Sequence, residues 1–368
     1  MLIDGLFLIF PVVRAVDPRR PWSKAWWVDL SEIAASQALL VYHMRMRIIT
    51  LEEHITTPAI LKASSNGQDI GLPSSAYIQS LHAKLLDIGE GRLADMDASG
   101  ISVQVLSISA SPIDKMEPSA ANALARDAND IMAAAANAHP DRFAAFATLA
   151  LQEPEKAAAE LERCVRQLGF KGAMVNGTVN GRFLDDPKFT PFFEVAQALD
   201  VPIYLHPAPP PKAVMDVYFS GLPGQLGFFL STAGWGWHVE TGLHSLRLII
   251  SGLFDRFPKL KIIIGHMGEN LPFSVARSQA VFARGVLNLK RPLAEYFQDN
   301  FYLTTSGYFT TPPFLCMLQV VGTDRILFSV DYPFSSNAIG RKFLDSLAIS
   351  PEDLEKIAHR NAEKLLKL

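Results

Sequence analysis

The chain has 368 residues, of which 49% are hydrophobic and 19% charged, and its net charge is −3. This composition is typical of a globular protein with a large core, and the sequence has no basic block that would indicate nucleic-acid binding. The two cysteines, Cys164 and Cys316, form no motif, so we expect a reducing compartment and predict a cytoplasmic protein.

Residues 1–45 differ in character from the rest of the chain. Their apolar run "LFLIFPVV" is too short to span a bilayer, and it makes a poor signal peptide because no basic residue precedes it. We therefore predict that residues 1–45 are an N-terminal appendage without a catalytic role or a membrane contact. Residues 46–368 are predicted to form the catalytic domain.

From residue 47 onward, short apolar runs alternate with helical patterns. The runs cover residues 47–54, 103–109, 143–149, 172–176, 202–207, 261–266, 301–307 and 325–331, and the helical patterns include 119–139, 153–169 and 351–368. Continuous apolar runs are typical of strands covered on both faces of a parallel sheet. Eight such units predict an α/β fold of the (β/α)8 TIM-barrel type. The alternative is an open doubly wound sheet, but no glycine-rich phosphate loop follows the first run.

Acids and histidines stand at the ends of several predicted strands. Side chains alternate along a strand, so Glu52 and His54 share one face of the first strand and Glu53 points to the other. The fifth, sixth and eighth runs end in His206, His266 and Asp331, respectively. Because catalytic groups of barrel enzymes gather at the C-terminal ends of the strands, these side chains predict a metal site.

The remaining histidines lie in loops or helical patterns, where most histidines are structural. They are His43, His82, His139, His238, His244 and His359. The interpretation is least certain for His244, which shares a helical face with Glu240. The segment 231–240 is predicted to be a loop, and its Trp235 and Trp237 could form a wall against an aromatic ring.

Four motifs resemble the amidohydrolase superfamily, and within it the metal-dependent, non-oxidative aromatic-acid decarboxylases of the γ-resorcylate type. They are "LEEH", "YLHP", "RILFSVDYPF" and the long segment "ETGLHSLRLIISGLFDRFPKLKIIIGHMGENLPF". The resemblance covers about residues 46–368. It implies an amidohydrolase-like barrel, a carbon–carbon lyase that acts on a small aromatic carboxylic acid, and a homo-oligomer, either a dimer or a tetramer.

The same resemblance implies roles for individual residues. Glu52, His54, His206 and Asp331 would bind the metal, and Asp331 would also donate the proton. His266 and Glu269 would form a proton-handling pair with Arg277 nearby. Relatives that act on 2,3-dihydroxybenzoate or 5-carboxyvanillate usually have alanine where this chain has His54, which favours a γ-resorcylate-type substrate.

The residues also indicate one metal ion and not two. Binuclear hydrolases of this superfamily generally begin with His-x-His and use a bridging lysine at the end of the fourth strand, whereas here the motif is Glu-x-His and Lys171 precedes the fourth run. Two imidazoles and two carboxylates suit Zn²⁺ or Mn²⁺.

An ortho-hydroxybenzoate could chelate such an ion, and protonation of its ring carbon before C–C cleavage would avoid an aryl carbanion. One alternative is a single-metal hydrolase or hydratase that acts on a ring-cleavage product with His266 as base. Another is a non-catalytic barrel that serves as a scaffold.

Overall fold

The computed structural model describes residues 46–65, 76–109, 112–282 and 287–368 of the protein. Residues 46–368 form one compact unit. The prediction made for residues 1–45 lies outside the described residues. Among the helices that the structure describes, none has the length and hydropathy needed to cross a bilayer.

The described residues contain eight parallel strands. They are β1 (Ile49–Ile55), β2 (Val103–Ile108), β3 (Phe143–Ala145), β4 (Ala173–Asn176), β5 (Ile203–His206), β6 (Ile262–Ile264), β7 (Phe301–Thr304) and β8 (Ile326–Leu327). Ladder pairing orders them as β1-β2-β3 and as β4-β5-β6-β7-β8. Single bridges, Ala147 with Ala173 and Glu53 with Tyr332, join these two groups at both edges. The strands therefore close into a ring, and the predicted (β/α)8 barrel is confirmed.

Helices follow the strands along the chain. The α-helices are α1 (Pro58–Ser65), α2 (Ala76–Leu86), α3 (Glu90–Ala98), α4 (Pro118–Ala138), α5 (Pro154–Leu168), α6 (Thr190–Leu199), α7 (Lys212–Tyr218), α8 (Leu226–Ser231), α9 (Gly236–Ile250), α10 (Leu253–Arg256), α11 (Leu271–Phe282), α12 (Leu293–Asn300), α13 (Thr311–Val321), α14 (Asn337–Asp345), α15 (Pro351–Glu355) and α16 (Asn361–Leu366). A π-helical turn, Lys356–Arg360, joins α15 to α16. The predicted helices 119–139 and 153–169 are confirmed to within one residue at each end.

Local sequence explains where these helices begin and end. The Glu117 side chain accepts the backbone N–H groups of Ser119 and Ala120 at the start of α4, so two amides without a helical partner are satisfied. Helix α5 ends where Gly169 adopts a left-handed conformation with φ 75°, which costs glycine little because it has no Cβ. Cys164 is buried on α5 as a free thiol, as expected for a core residue.

The barrel interior is apolar and is closed at its N-terminal end. Side chains from all eight strands or the residues next to them form a buried cluster there, and the C-terminal segment adds two more. The cluster contains Ile49, Leu51, Val103, Val105, Ala144, Phe146, Met174, Tyr204, Ile263, Tyr302, Leu327, Ala362 and Leu366. At the same end, Lys171 Nζ donates to the Lys367 carbonyl at 3.2 Å, and Arg47 pairs with Glu363 at 2.9 Å. Lys171 is therefore at the opposite end of β4 from the predicted metal site, and the site lies at the C-terminal mouth.

The seam between β8 and β1 is made largely by side chains. Strand β8 ends at Leu327, so the predicted strand 325–331 is too long. Thr305 Oγ1 accepts the Ser329 amide at 3.0 Å, and Glu53 accepts the amides of Val330 and Tyr332 at 2.9 and 3.2 Å. These side-chain oxygens replace the carbonyls of a regular ladder, which frees the chain to turn after Leu327.

Candidate metal centre

Strand β1 presents two of the predicted metal ligands because its register is irregular. Thr50 pairs with Gln104 and Glu53 pairs with Leu106, so β1 contains one residue more than β2 between these pairs. Such a bulge allows Leu51 and Glu52 both to face the interior, whereas His54 follows on the same face and Glu53 points away from it. Glu52 and His54 therefore reach the mouth together, as their spacing predicted.

The four predicted ligands converge at the mouth. One ligand-type atom from each of Glu52, His54, His206 and Asp331 lies within 4.8 Å of the others. Glu52 Oε1 is 3.1 Å from His206 Nε2 and 3.9 Å from His54 Nε2, and His54 Nε2 is 3.3 Å from Asp331 Oδ1.

Two of these atoms have no hydrogen bond to offset their burial. Glu52 Oε1 and His54 Nε2 are buried and, within the described residues, neither forms a hydrogen bond. Unpaired polar atoms of this kind are costly in a protein interior, so their convergence fits a bound cation. Two imidazole nitrogens and two carboxylates suit a single ion such as Zn²⁺ or Mn²⁺.

Neighbouring groups hold the ligands of β1 in place. The Tyr204 hydroxyl donates to Glu52 Oε2, and Ser107 Oγ lies 3.1 Å from His54 Nδ1, which leaves Nε2 directed at the site. A Cβ at Gly265 would lie 2.7 Å from Glu52 Oε2, so only glycine leaves room for that carboxylate.

The electrostatics of the site favour an ionised Glu52. Burial alone would raise the pKa of Glu52, but the charge of His266 and the imidazole of His206 beside the carboxylate outweigh burial and hold the pKa far below its usual range. Burial lowers the pKa of His54 below its ordinary value, although Asp331 opposes this effect. Both groups are thereby favoured in the deprotonated forms that bind metals.

The backbone is strained at three residues of the site. His266, Glu269 and Asp331 have φ values of 49°, 53° and 70°, in the left-handed region that side-chain-bearing residues rarely adopt. His266 lies on a 3-10 turn after β6, which ends at Ile264, so the predicted strand 261–266 is also too long. Strain of this kind clusters at functional sites, and here it turns the chain at the barrel mouth.

His266 and Glu269 form the predicted pair, but the structure adds a third member. His266 Nδ1 lies 2.7 Å from Glu269 Oε1, and His238 Nδ1 lies 2.7 Å from Glu269 Oε2. Burial by itself lowers the pKa of His266, but the charges of Glu269 and Glu52 raise it well above its ordinary value. Interpreting His238 as an ordinary structural histidine missed this contact, because the sequence contains no spacing rule that joins His238 to an acid 31 residues later.

Within the described residues, Arg277 and His244 are not among the side chains that converge at the candidate metal centre. Arg277 lies on α11 with an exposed side chain, and no hydrogen bond or ion pair among the described residues joins it to His266 or Glu269. His244 Nε2 accepts the Leu184 amide at 2.9 Å, and burial lowers the His244 pKa to about 3, so this histidine is neutral and structural.

The predicted loop 231–240 is only partly a loop, because α9 begins at Gly236. His238 N donates to the Trp235 carbonyl at 3.2 Å in the first turn of this helix. The Trp235 side chain is 54% exposed. The Trp237 indole contacts His238.

Comparison with known proteins agrees with this arrangement. The model of the amidohydrolase family matches residues 81–368. Gamma-resorcylate decarboxylase of Polaromonas sp. is 41% identical over 331 residues, which cover 87% of this chain and 98% of that protein. A crystal structure of 2,6-dihydroxybenzoate decarboxylase complexed with 2,6-dihydroxybenzoate has a TM-score of 0.80 and 38% identity, and covers 88% of this chain and 99% of its own.

A dihydroxybenzoic acid decarboxylase from Polaromonas sp., solved with manganese and the inhibitor 2-nitroresorcinol, is 40% identical with a TM-score of 0.79, and the match covers 88% of this chain and 97% of that chain. The family match covers well over half of the sequence, and these relatives are matched over nearly their whole length. The chain therefore belongs to the amidohydrolase family.

Proposed function

We propose that the protein catalyses the metal-dependent, non-oxidative decarboxylation of an ortho-hydroxybenzoate of the γ-resorcylate type. The observation that carries this proposal is the buried cluster of Glu52, His54, His206 and Asp331, with two ligand atoms left without hydrogen bonds. The protein matches a gamma-resorcylate decarboxylase over 98% of that relative's length, and this similarity supports the same reaction.

Glu52, His54, His206 and Asp331 would hold one divalent ion. When bound, the ion would supply a Lewis acid and a template for the oxygens of the substrate. The manganese bound in the Polaromonas structure makes Mn²⁺ the first ion to test, with Zn²⁺ as the second.

Asp331 is our candidate for the proton donor. Its carboxylate lies beside His54 on one side and 3.8 Å from His266 Nε2 on the other, so a proton passed to the substrate could be replaced through His266. The proton would add to the ring carbon that bears the carboxylate. The C–C bond would then break, its electron pair would restore the aromatic ring, and CO₂ would leave.

Aromatic side chains near the metal centre suit a ring-shaped substrate. The Phe334 ring lies 5.7 Å from the His54 ring and is 45% exposed. The Tyr308 ring lies 5.8 Å from the ring of His266 and 5.3 Å from that of His238. Faces and edges of this kind pack well against an aromatic acid.

A homo-oligomer, a cytoplasmic location and a role for Arg277 near the proton-handling pair stay predictions. They rest on the sequence and on its family resemblance. Sedimentation of the purified protein would test the first of them.

The proposed function is tested with purified protein whose metal content has been measured. We expect one equivalent of metal per chain, and release of equal amounts of CO₂ and phenol from 2,6-dihydroxybenzoate or another benzoate with an ortho hydroxyl. Benzoate and 4-hydroxybenzoate serve as controls and should not react, because neither has the ortho oxygen. Two metal equivalents per active chain, a product that has gained water, or no CO₂ from any ortho-hydroxybenzoate would contradict the proposal.

A further inference from the structure

His238 forms a buried group with His266 and Glu269, and the reaction proposed above assigns it no role. Its side chain is 3% exposed, and its ring packs edge-on against that of His266 with the centroids 4.7 Å apart. Glu269 lies between the two histidines and is 1% exposed. Each oxygen of this carboxylate is used by one histidine.

The carboxylate between them determines where both protons lie. An ionised carboxylate is only an acceptor, and burial raises the pKa of Glu269 less than the two histidines lower it. His266 Nδ1 and His238 Nδ1 must therefore both carry hydrogen. For His266, this leaves Nε2 as the nitrogen that faces Glu52 and Asp331.

Trp237 determines the state of the second nitrogen of His238. The indole Nε1–H can only donate, and it lies 3.2 Å from His238 Nε2. To accept this bond, Nε2 must be free of hydrogen, so His238 must be neutral with its proton on Nδ1. The Ala233 carbonyl, 3.1 Å from the same Nε2, would favour the opposite state, so loss of the indole bond should shift His238 toward a protonated Nε2.

We propose that His238 is a positioning residue for the reaction: through Glu269 it fixes the ring orientation and the proton site of His266, and Trp237 selects the His238 tautomer that makes this possible. The inference rests on the proposed function. It assigns His238 no contact with the substrate or the metal.

Activity of three variants tests this assignment. His238→Ala removes the donor to Glu269 and should lower kcat by about 10- to 100-fold, the usual cost of losing a group that orients a metal-site residue. Metal content should stay at one equivalent, and KM should change by less than about twofold. His238→Asn places an amide N–H near the position of Nδ1 and should recover most of the lost kcat. Val239→Ala, with an exposed side chain on the same helix, is the matched control and should behave as wild type.

The indole is tested separately with Trp237→Phe. This change keeps an aromatic ring and removes one hydrogen bond, so kcat should fall by about two- to tenfold. Wild-type kcat in His238→Ala would overturn the proposal. Equal impairment of His238→Ala and His238→Asn, both with full metal, would also overturn it, because the loss would then come from packing and not from the hydrogen bond.

A spectroscopic measurement does not depend on turnover. In zinc-loaded protein labelled with ¹⁵N-histidine, the His238 signals are identified by their absence in His238→Asn. Nε2 of His238 should have the chemical shift of an unprotonated nitrogen, and Trp237→Phe should move it toward that of a protonated one. A protonated Nε2 in wild type would overturn the assignment. If wild-type protein released no CO₂ from any hydroxybenzoate, the proposed function would fail, and the ¹⁵N shifts would still decide the tautomer.

Discussion

The Asp331 carboxylate lies close both to the candidate metal ligand His54 and to His266. One of its oxygens is 3.3 Å from His54 Nε2, and the other is 3.8 Å from His266 Nε2. The left-handed backbone at Asp331 directs the side chain there, and a Cβ at Gly307 would lie only 3.3 Å from Oδ2. The residue is therefore held between the candidate ligand His54 and the imidazole of His266.

We predict that Asp331→Asn abolishes most of the turnover. Asparagine keeps the shape and one oxygen for the metal but cannot deliver a proton. We expect kcat to fall at least 10²–10⁴-fold, the usual contribution of general-acid catalysis, while substrate binding is retained better. In deuterated water, wild-type enzyme should place deuterium on the ring carbon that lost CO₂, as mass spectrometry of the phenol would show.

The matched control is Asp324→Asn, the same chemical change at an exposed carboxylate that pairs with Lys356. It should leave kcat unchanged, because exposed ion pairs contribute little. Near-normal turnover of metal-loaded Asp331→Asn would instead assign the proton to His266.

The sequence predicted which residues lie together at the site where they stand at the ends of parallel strands. The C-terminal ends of parallel strands meet at one rim, so Glu52, His54, His206 and Asp331 could be grouped before any coordinates were known. His238 could not be grouped with them, because it lies on a helix whose position depends on packing after β5.

At the scale of elements, the seam between β1 and β8 depends on Glu53. Its carboxylate accepts the amides on both sides of Asp331, those of Val330 and Tyr332, while its neighbours along the chain are Glu52 and His54. Arg92 strengthens the seam, because its fully buried guanidinium donates to the His54 carbonyl at 2.6 Å. Strand β1 and the segment that follows β8, which carry three of the four candidate metal ligands, are thus joined by these contacts.

We predict that Glu53→Gln destabilises the protein and weakens metal binding. Burial raises the pKa of Glu53 to about 8, so the comparison is made above that pH, where Glu53 is ionised. Glutamine has one acceptor oxygen and cannot satisfy both amides, and a buried amide without a partner costs about 1–3 kcal/mol. Denaturant unfolding of the metal-free protein and metal titration would measure the two effects.

Glu162→Gln is the control for this change, because Glu162 is half exposed and pairs with Arg166 on the same helix. It should alter the free energy of unfolding by less than about 0.5 kcal/mol. Unchanged stability and metal affinity in Glu53→Gln would show that the seam does not need this carboxylate.

The strands were predictable in number and order, but not in length. Phe328 and Val330 continue the apolar run past the end of β8, so composition could not reveal that side-chain oxygens replace the backbone acceptors there. The bulge in β1 could not be predicted from composition either, because it is defined by the pairing of β1 with β2. The assignment of Glu52 and His54 to one face nevertheless holds, because the pairing of β1 is regular again from Glu53 onward.

At the scale of the whole molecule, the barrel described from Met46 onward contains every element of the candidate site. We therefore predict that protein starting at Met46 keeps one metal equivalent and its kcat, because β1 begins at Ile49, after the removed residues. Elemental analysis and CO₂ release, compared with the full chain, would test this. A shortened protein that binds metal but has lost turnover would show that residues 1–45 take part in the site or in a required oligomer.

The ion pair between Arg47 and Glu363 has a practical consequence. It places the first residues of the barrel beside its last helix, at the end that the C-terminal segment closes. A fluorescent protein or an affinity tag fused after Leu368 would therefore project from the face opposite the metal centre. Immobilisation through a linker after Leu368 would turn the metal-site end of the barrel away from the support, which suits a biosensor or a supported catalyst.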